Sequence, residues 1–298
     1  MPVTEGTVPY RGHRTWYQRV DGPGSAGKVP LLVLHGGPGF PHDYLEDLAR
    51  LADGDDGRPV VFYDQLGCGK SDRPADDPAL WTLATFVGEL AAVREALGLE
   101  RVHLFGHSWG AMLALQYALD RPAPGLASLT LAGGCASAPL YAAEARRLYD
   151  SLPAGVRGTI ERHEAQGTTD SEEYTGATTE FYSRWLCRLD PYPDHLMRSF
   201  TRLSEDVYGT MLGTEWNVSG NLKDWDVTAR LGELDLPVLV TSGRHDEMTP
   251  AAVRPLADGI AGAEWVVFEE SAHFTTAEEP EHYRQVLAAF LARAEGSA

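Results

Sequence analysis

With 298 residues, 43% of them hydrophobic and 23% charged, the chain has the composition of a globular protein large enough for one core with an insertion. A formal net charge of −18 disfavours non-specific binding to nucleic acid or to an anionic membrane surface. No apolar run approaches the roughly 20 residues that span a bilayer, and Cys68, Cys135 and Cys187 form neither a disulfide framework nor a zinc-binding spacing, so free thiols and no metal are expected.

The first twenty residues lack the apolar segment of a secretory signal, which makes the cytoplasm the expected compartment. Thr15 to Val20 alternates and carries Trp16 and Tyr17, the pattern of an early edge strand, and Asp21, Gly22, Pro23 and Gly24 then make a turn. Val29 to Leu34 is a continuous apolar run of the kind buried on both faces of a parallel sheet. It leads straight into His35-Gly36-Gly37-Pro38-Gly39, where the glycines leave backbone N–H groups approachable. Pro59 to Tyr63 is the next predicted strand, and Asp64 with Gly67 and Gly69 shapes the loop at its end. Thr82 to Leu97 spaces Leu83, Phe86, Val87, Leu90 and Leu97 as one face of a helix.

Arg101 to Phe105 is the predicted central strand, and Gly106-His107-Ser108-Trp109-Gly110 follows it at once. A G-x-S-x-G turn between strand and helix is a nucleophile elbow: its glycines let strand and helix crowd together while the serine is held exposed. The helix that follows carries Met112, Leu113, Leu115 and Gln116 and is expected to end near Pro122. Ser128 to Ala132 is another buried strand, with Cys135 just beyond its C-terminal end. Ligands of open α/β sheets bind beyond those ends. Cys135 is therefore expected to border the cleft, or else to be a buried inert thiol; in the first case a mercurial slows the enzyme through it.

From Ala136 to about Trp225 the character changes to short helical segments rich in charge and aromatic residues, predicting a helical cap inserted between strands. Phe181, Tyr182, Trp185, Tyr192 and Trp216 either line a substrate pocket there or pack the cap's own core. Sheet rhythm returns at Pro237 to Ser242, followed by a loop with Asp246 and Glu247. A helix around Ala251 to Ile260, a strand at Glu264 to Phe268, a loop carrying His273, and a last helix from Glu278 to Ala294 complete the chain. The predicted fold is α/β, with a mostly parallel central sheet flanked by helices. Its segments are a first core part over residues 1–135, a cap over 136–225 and a second core part over 226–298.

Ser108, Asp246 and His273 thus fall at C-terminal strand ends in the order nucleophile, acid, histidine that the elbow architecture uses. His273 takes the proton of Ser108 and returns it to the leaving group, Asp246 orients the imidazole, and the backbone N–H groups of Gly37 and Trp109 hold the oxyanion. Loss of one such donor costs about 3 kcal/mol. Asp64 precedes the serine and is excluded as the acid by that order, and His35, His103, His107 and His245 read as structural. The chemistry needs no cofactor. An amidase, an esterase or a cyclising acyl transferase uses the same triad, and a receptor-like pseudo-hydrolase has no need of all three residues.

Five motifs in order, HGGPG at 35–39, DQLGCGKSD at 64–72, GHSWG at 106–110, GRHDEMTP at 243–250 and SAHF at 271–274, resemble the proline iminopeptidase family of α/β-hydrolases. The chain is similar in the same way to the related tricorn-interacting aminopeptidase. The resemblance implies an α/β-hydrolase fold and a serine aminopeptidase acting on short peptides or amino-acid amides. Glu215 and Glu247 match the family's glutamates that bind the free α-amino group. His107 stands where the family's elbow often has glycine. An ammonium about 4 Å from one carboxylate gains about 4 kcal/mol at an effective dielectric near 20, before desolvation. Two such carboxylates favour a free N-terminus over a blocked one.

Overall fold

The computed structural model describes residues 1–53, 57–74, 77–120 and 125–296. Its sheet is built from β1 (Val3–Tyr10), β2 (His13–Val20), β3 (Leu31–Leu34), β4 (Val60–Tyr63), β5 (Val102–His107) and β6 (Leu126–Ala132), with β9 (Val238–Gly243) and β10 (Glu264–Phe268) added after an insertion. The spatial order is β1-β2-β4-β3-β5-β6-β9-β10. β2 runs antiparallel to both β1 and β4, and every pairing from β4 to β10 is parallel. The segment expected at the edge is therefore second from it. β1 was not legible because Gly6, Pro9 and a mostly exposed face break its alternation, yet an outermost strand tolerates a proline that donates no hydrogen bond.

The apolar runs of β3, β4, β5 and β9 are buried along their whole length because both sheet faces are covered. Alternate side chains feed two cores. Leu32, Leu34, Val61 and Leu104 pack toward α1 (Leu83–Ala96) and α2 (Trp109–Asp120), while Leu31, Val33, Phe62 and Phe105 pack the other way. There they meet a 3-10 helical segment, His42–Ala52, to which no predicted element corresponds. Thr82 caps α1 by accepting from Thr85 N. The expected end of α2 near Pro122 lies outside the described residues.

Between β6 and β9 the chain forms α3 (Ala138–Asp150), α4 (Ala154–Gln166), α5 (Glu172–Trp185), α6 (Asp194–Thr201) and α7 (Glu205–Met211). A two-residue hairpin, β7 (Gly213–Thr214) with β8 (Asn217–Val218), follows and carries Glu215 at its tip. Leu148, Tyr149, Ile160, Phe181 and Trp216 make a separate small core for these helices. α8 (Pro250–Gly259), α9 (Thr275–Glu278) and α10 (Pro280–Gly296) complete the chain, and Tyr283, Leu287 and Phe290 of α10 face the second core. No helix among the described residues is long and apolar enough to cross a membrane.

Candidate active site

The parallel strands β3 and β5 are neighbours although β4 intervenes in sequence, so the loops after them open side by side where the strand order reverses. At the end of β5 the backbone turns so sharply that a Cβ at Gly106 would lie 2.1 Å from Gly110 O, and one at Gly110 would lie 2.3 Å from Leu34 O. Only glycine fits at either point. Between them Ser108 is held at φ 57°, a left-handed conformation that costs a side-chain-bearing residue about 1–2 kcal/mol. Its amide bonds to Ala132 O at 2.8 Å, and its carbonyl accepts the amides of Ala111 and Met112 in the first turn of α2.

His273 Nδ1 lies 2.7 Å from Asp246 Oδ1, and the same oxygen accepts the Met248 amide at 2.7 Å. Both side chains are buried. Gly133 at the end of β6 makes room for this pair: a Cβ there would stand 3.2 Å from the His273 ring and 3.4 Å from Asp246 Oδ2. The chain leaving α5 braces both loops, because Trp185 O accepts the Glu247 amide at 2.9 Å and Leu186 O accepts the His273 amide at 3.0 Å. Ser108 and His273 line the same cavity.

Gly37 and Trp109 also meet at Ser108. Gly37 has φ 110°, and a Cβ on it would sit 2.5 Å from Gly39 N. Among the described residues neither the Gly37 nor the Trp109 amide is used in a backbone hydrogen bond, so both donors remain for a ligand. Gln65 ties their supports together. Its side-chain oxygen accepts the Trp109 indole N–H at 2.8 Å, its side-chain nitrogen donates to His35 O at 2.9 Å, and its amide donates to His35 Nε2 at 2.9 Å. That last bond needs an unprotonated nitrogen, which burial supplies by lowering the His35 pKa to about 4. Asp64 accepts the His42 amide and ring at 2.8 Å and the Lys70 amide at 2.8 Å, the loop-shaping part expected of it.

Two compartments open at Ser108. The larger, about 150 Å³, has aromatic walls of Phe40, Tyr44, Phe200 and Phe274 and includes His273. The smaller, about 30 Å³, is walled by Met112, Tyr141, Leu212, Leu222 and Met248. Gly37, Ser108, Glu215 and Glu247 border both. Tyr208 donates a short hydrogen bond to Glu215 Oε1, and Tyr182 donates to Oε2 at 3.2 Å. Burial and then the charge of Glu215 push both phenols well above their ordinary pKa, so they stay donors. Burial raises the Glu247 pKa well above its ordinary value, and the charges of Glu215 and then Asp246 raise it further. Glu247 Oε2 is buried without a hydrogen-bond partner. Unpaired buried acceptors beside a second carboxylate suit a cation with several N–H donors. Among the described residues no set of three or more His, Cys, Asp or Glu side chains is placed to hold a metal ion.

Of the aromatic residues of the inserted helices, Tyr182 lines the cavity. Phe181, Trp185 and Trp216 belong to the small core of those helices, and Tyr192 stacks on Phe200 with ring centroids 5.8 Å apart. Cys135 does not border the cleft. It is buried in the main core, and burial pushes its thiol up to about 12. Tyr44, Gln65, Tyr141, His107 and Tyr208 reach the site without having been singled out for it. Gln65 sits inside the DQLGCGKSD segment at 64–72, whereas no motif marks Tyr44 or Tyr208.

The chain matches the α/β hydrolase fold family over residues 29–280. The proline iminopeptidase of Heyndrickxia coagulans is 43% identical over 290 residues, covering 97% of this chain and 98% of that protein. The one from Lactobacillus crispatus is 39% identical over 293 residues, covering 98% and 99%. Among solved structures, the proline iminopeptidase of Mycobacterium smegmatis matches with a TM-score of 0.90 at 41% identity over 99% of each chain. VinJ matches with a TM-score of 0.92 at 40% identity over 98% of this chain and 99% of its own. An esterase from Exiguobacterium antarcticum, at 21% identity and a TM-score of 0.70, shares the fold alone. With relatives alike at this level from end to end, the chain belongs to the proline iminopeptidase family of α/β-hydrolases.

Proposed function

We propose that this chain is a serine aminopeptidase that releases an N-terminal proline, or another small apolar residue, from short peptides or amino-acid amides through an acyl-enzyme. Ser108 Oγ attacks the carbonyl carbon of the first residue while His273 takes its proton. His273 then protonates the leaving amine, and a water repeats the sequence to free the amino acid. Asp246 keeps His273 in the tautomer that presents Nε2, and the Gly37 and Trp109 amides stabilise the oxyanion. The observation that carries the reading is the pair of carboxylates, Glu215 and Glu247, bordering the same space as Ser108. The substrate's ammonium between them sets the scissile bond one residue away, and the small apolar compartment takes the first side chain.

Residues 136–225 act in this reading as a cap between core segments 1–135 and 226–298. Its neck supports those limits: Ala138 N donates to Trp225 O and Val227 N to Ala136 O, each at 2.8 Å, and Ser137 Oγ bonds Asp226 Oδ2 at 2.7 Å. The free buried thiols agree with a reducing compartment, the cytoplasm. Prolyl and alanyl arylamides, each with a free and with an acetylated amine, test the proposal. Turnover of the free forms, its loss on acetylation and its loss in Ser108→Ala are expected. Equal rates on acetylated substrates would remove the carboxylate clamp, and undiminished turnover by Ser108→Ala would remove the nucleophile.

A further inference from the structure

His107, one residue before Ser108, uses both ring nitrogens. Nε2 lies 2.9 Å from the main-chain oxygen of His273, and Nδ1 lies 2.9 Å from the Tyr44 hydroxyl, which lies 2.7 Å from Gly36 N. The direction of each bond follows from its partners. A carbonyl oxygen only accepts, so Nε2 carries the proton. Burial, and then the adjacent His273, lowers the His107 pKa to about 3, so the imidazole is neutral and Nδ1 accepts. Tyr44 therefore donates to His107, which leaves its oxygen to accept from Gly36 N–H. The result is a single directed row from the loop of Gly37, through the residue that precedes Ser108, to the loop of His273.

We infer that Tyr44 and His107 are positioning residues that hold the oxyanion donor of the Gly37 loop and the base His273 in register with Ser108. The inference rests on the roles proposed for those three residues. Through two side chains the row joins the loop after β3, the end of β5 and the loop after β10. Its neutral state has a second effect. The His107 and His273 rings are 4.7 Å apart at their centroids, so a proton on His107 would oppose the imidazolium that forms on His273 during acyl transfer. A Tyr44 hydroxyl donating to Nδ1 occupies the position that proton would take. Phe274, stacked on His107 with centroids 5.7 Å apart at 20°, closes the remaining face to water.

The test compares Tyr44→Phe, His107→Ala and His107→Gln in the full chain, reading kcat and KM on an aminoacyl arylamide and the labelling rate of Ser108 by a fluorophosphonate. The fluorophosphonate needs the activated serine and the oxyanion donors but no ammonium site. It therefore reports on this inference even where the peptide reading fails. Tyr44→Phe and His107→Ala are expected to lower kcat and labelling together by about ten- to a hundredfold, with KM within about twofold. His107→Gln, whose amide accepts from Tyr44 and donates to His273 O, is expected to recover most of that loss. A purely structural role predicts instead that labelling follows melting temperature and that glutamine rescues nothing. Should His107→Ala fail to fold, Tyr44→Phe, which removes one oxygen, decides. Wild-type labelling by Tyr44→Phe, or no rescue by His107→Gln, overturns the inference.

Discussion

Glu215 and Glu247 reach the same space from different parts of the chain, and they are unequally provided for. Glu215, at the tip of the cap hairpin, has a tyrosine hydroxyl on each oxygen, whereas Glu247, next to Asp246, keeps one buried oxygen without a partner. The cap thus delivers a satisfied carboxylate against a core carboxylate whose proton affinity is raised by burial and by that neighbour's charge. Each alone would be unremarkable; together they make a place where a cation relieves a cost already present in the folded protein.

Neutralising either carboxylate should therefore strike substrate recognition and spare the chemistry. Glu215→Gln and Glu247→Gln are expected to lower kcat/KM on free-amine arylamides by about 2–4 kcal/mol, roughly thirty- to a thousandfold. Fluorophosphonate labelling of Ser108 should stay within about threefold of wild type, since it makes no use of the ammonium site. A parallel fall in labelling would mean that these glutamates act on the triad and not on the amine.

The raised proton affinity of Glu247 gives the site a pH dependence of known sign. Below its folded pKa the carboxyl is neutral and offers an ammonium little attraction; as pH rises through that pKa it ionises and the attraction appears. Inhibition by a simple amino alcohol, which carries the amine but no scissile bond, should tighten as pH rises through this range once the inhibition constant is referred to the protonated amine. Glu247→Gln should flatten that dependence. An inhibition constant independent of pH in the wild type would assign the proton elsewhere.

The thiols give a prediction of the opposite kind. Cys68, Cys135 and Cys187 are all free and buried, and burial raises the pKa of each. Thiolates are the reactive form, so the folded enzyme is expected to keep full activity after incubation with a charged mercurial. All three thiols should titrate only once the chain is unfolded. Inactivation that is lost in Cys135→Ser would show that the end of β6 opens to solvent.

The residues proposed as triad and oxyanion donors stand out in the sequence because each sits in a short segment whose composition carries its own mechanical reason. Gly106 and Gly110 are needed where strand meets helix, Asp246 follows a strand buried along its whole length, and His273 follows the short apolar run of the outermost strand. What stayed hidden depends on tertiary contact. Nothing local marks Tyr44 as the partner of both Gly36 and His107, since His107 is reached only through the pairing of β3 with β5. The aromatic residues of the cap share one helical spacing, and only the packing of α5 on α4 and on Trp216 sends Phe181 inward and Tyr182 toward Glu215. β1 was missed for a related reason: a polar outer strand draws its stability from the register of β2, not from its own pattern.

Glu89 offers a test of the scaffold beneath the site. It is fully buried on α1, where Oε1 accepts the Thr15 hydroxyl and the Leu66 amide, the latter at 2.9 Å, and Oε2 has no partner. Burial raises its pKa to about 8, against the bonds from Thr15 and Leu66, which lower it. The unfolded chain releases this proton near pH 4.5 and the folded protein holds it to about pH 8. The stability it contributes is therefore complete below the unfolded value and is lost as pH rises to the folded one. Glu89→Gln keeps an acceptor for Thr15 and Leu66 and cannot ionise. Between pH 5 and pH 7 the variant should gain on the wild type by about 2–3 kcal/mol in urea unfolding, at about 1.4 kcal/mol per pH unit. A gap that does not change with pH would place the Glu89 titration in the ordinary carboxylate range. Because Leu66 follows Gln65, which holds Trp109, the same carboxyl fixes the floor on which the oxyanion loop rests, and activity should follow this stability only where the chain begins to unfold.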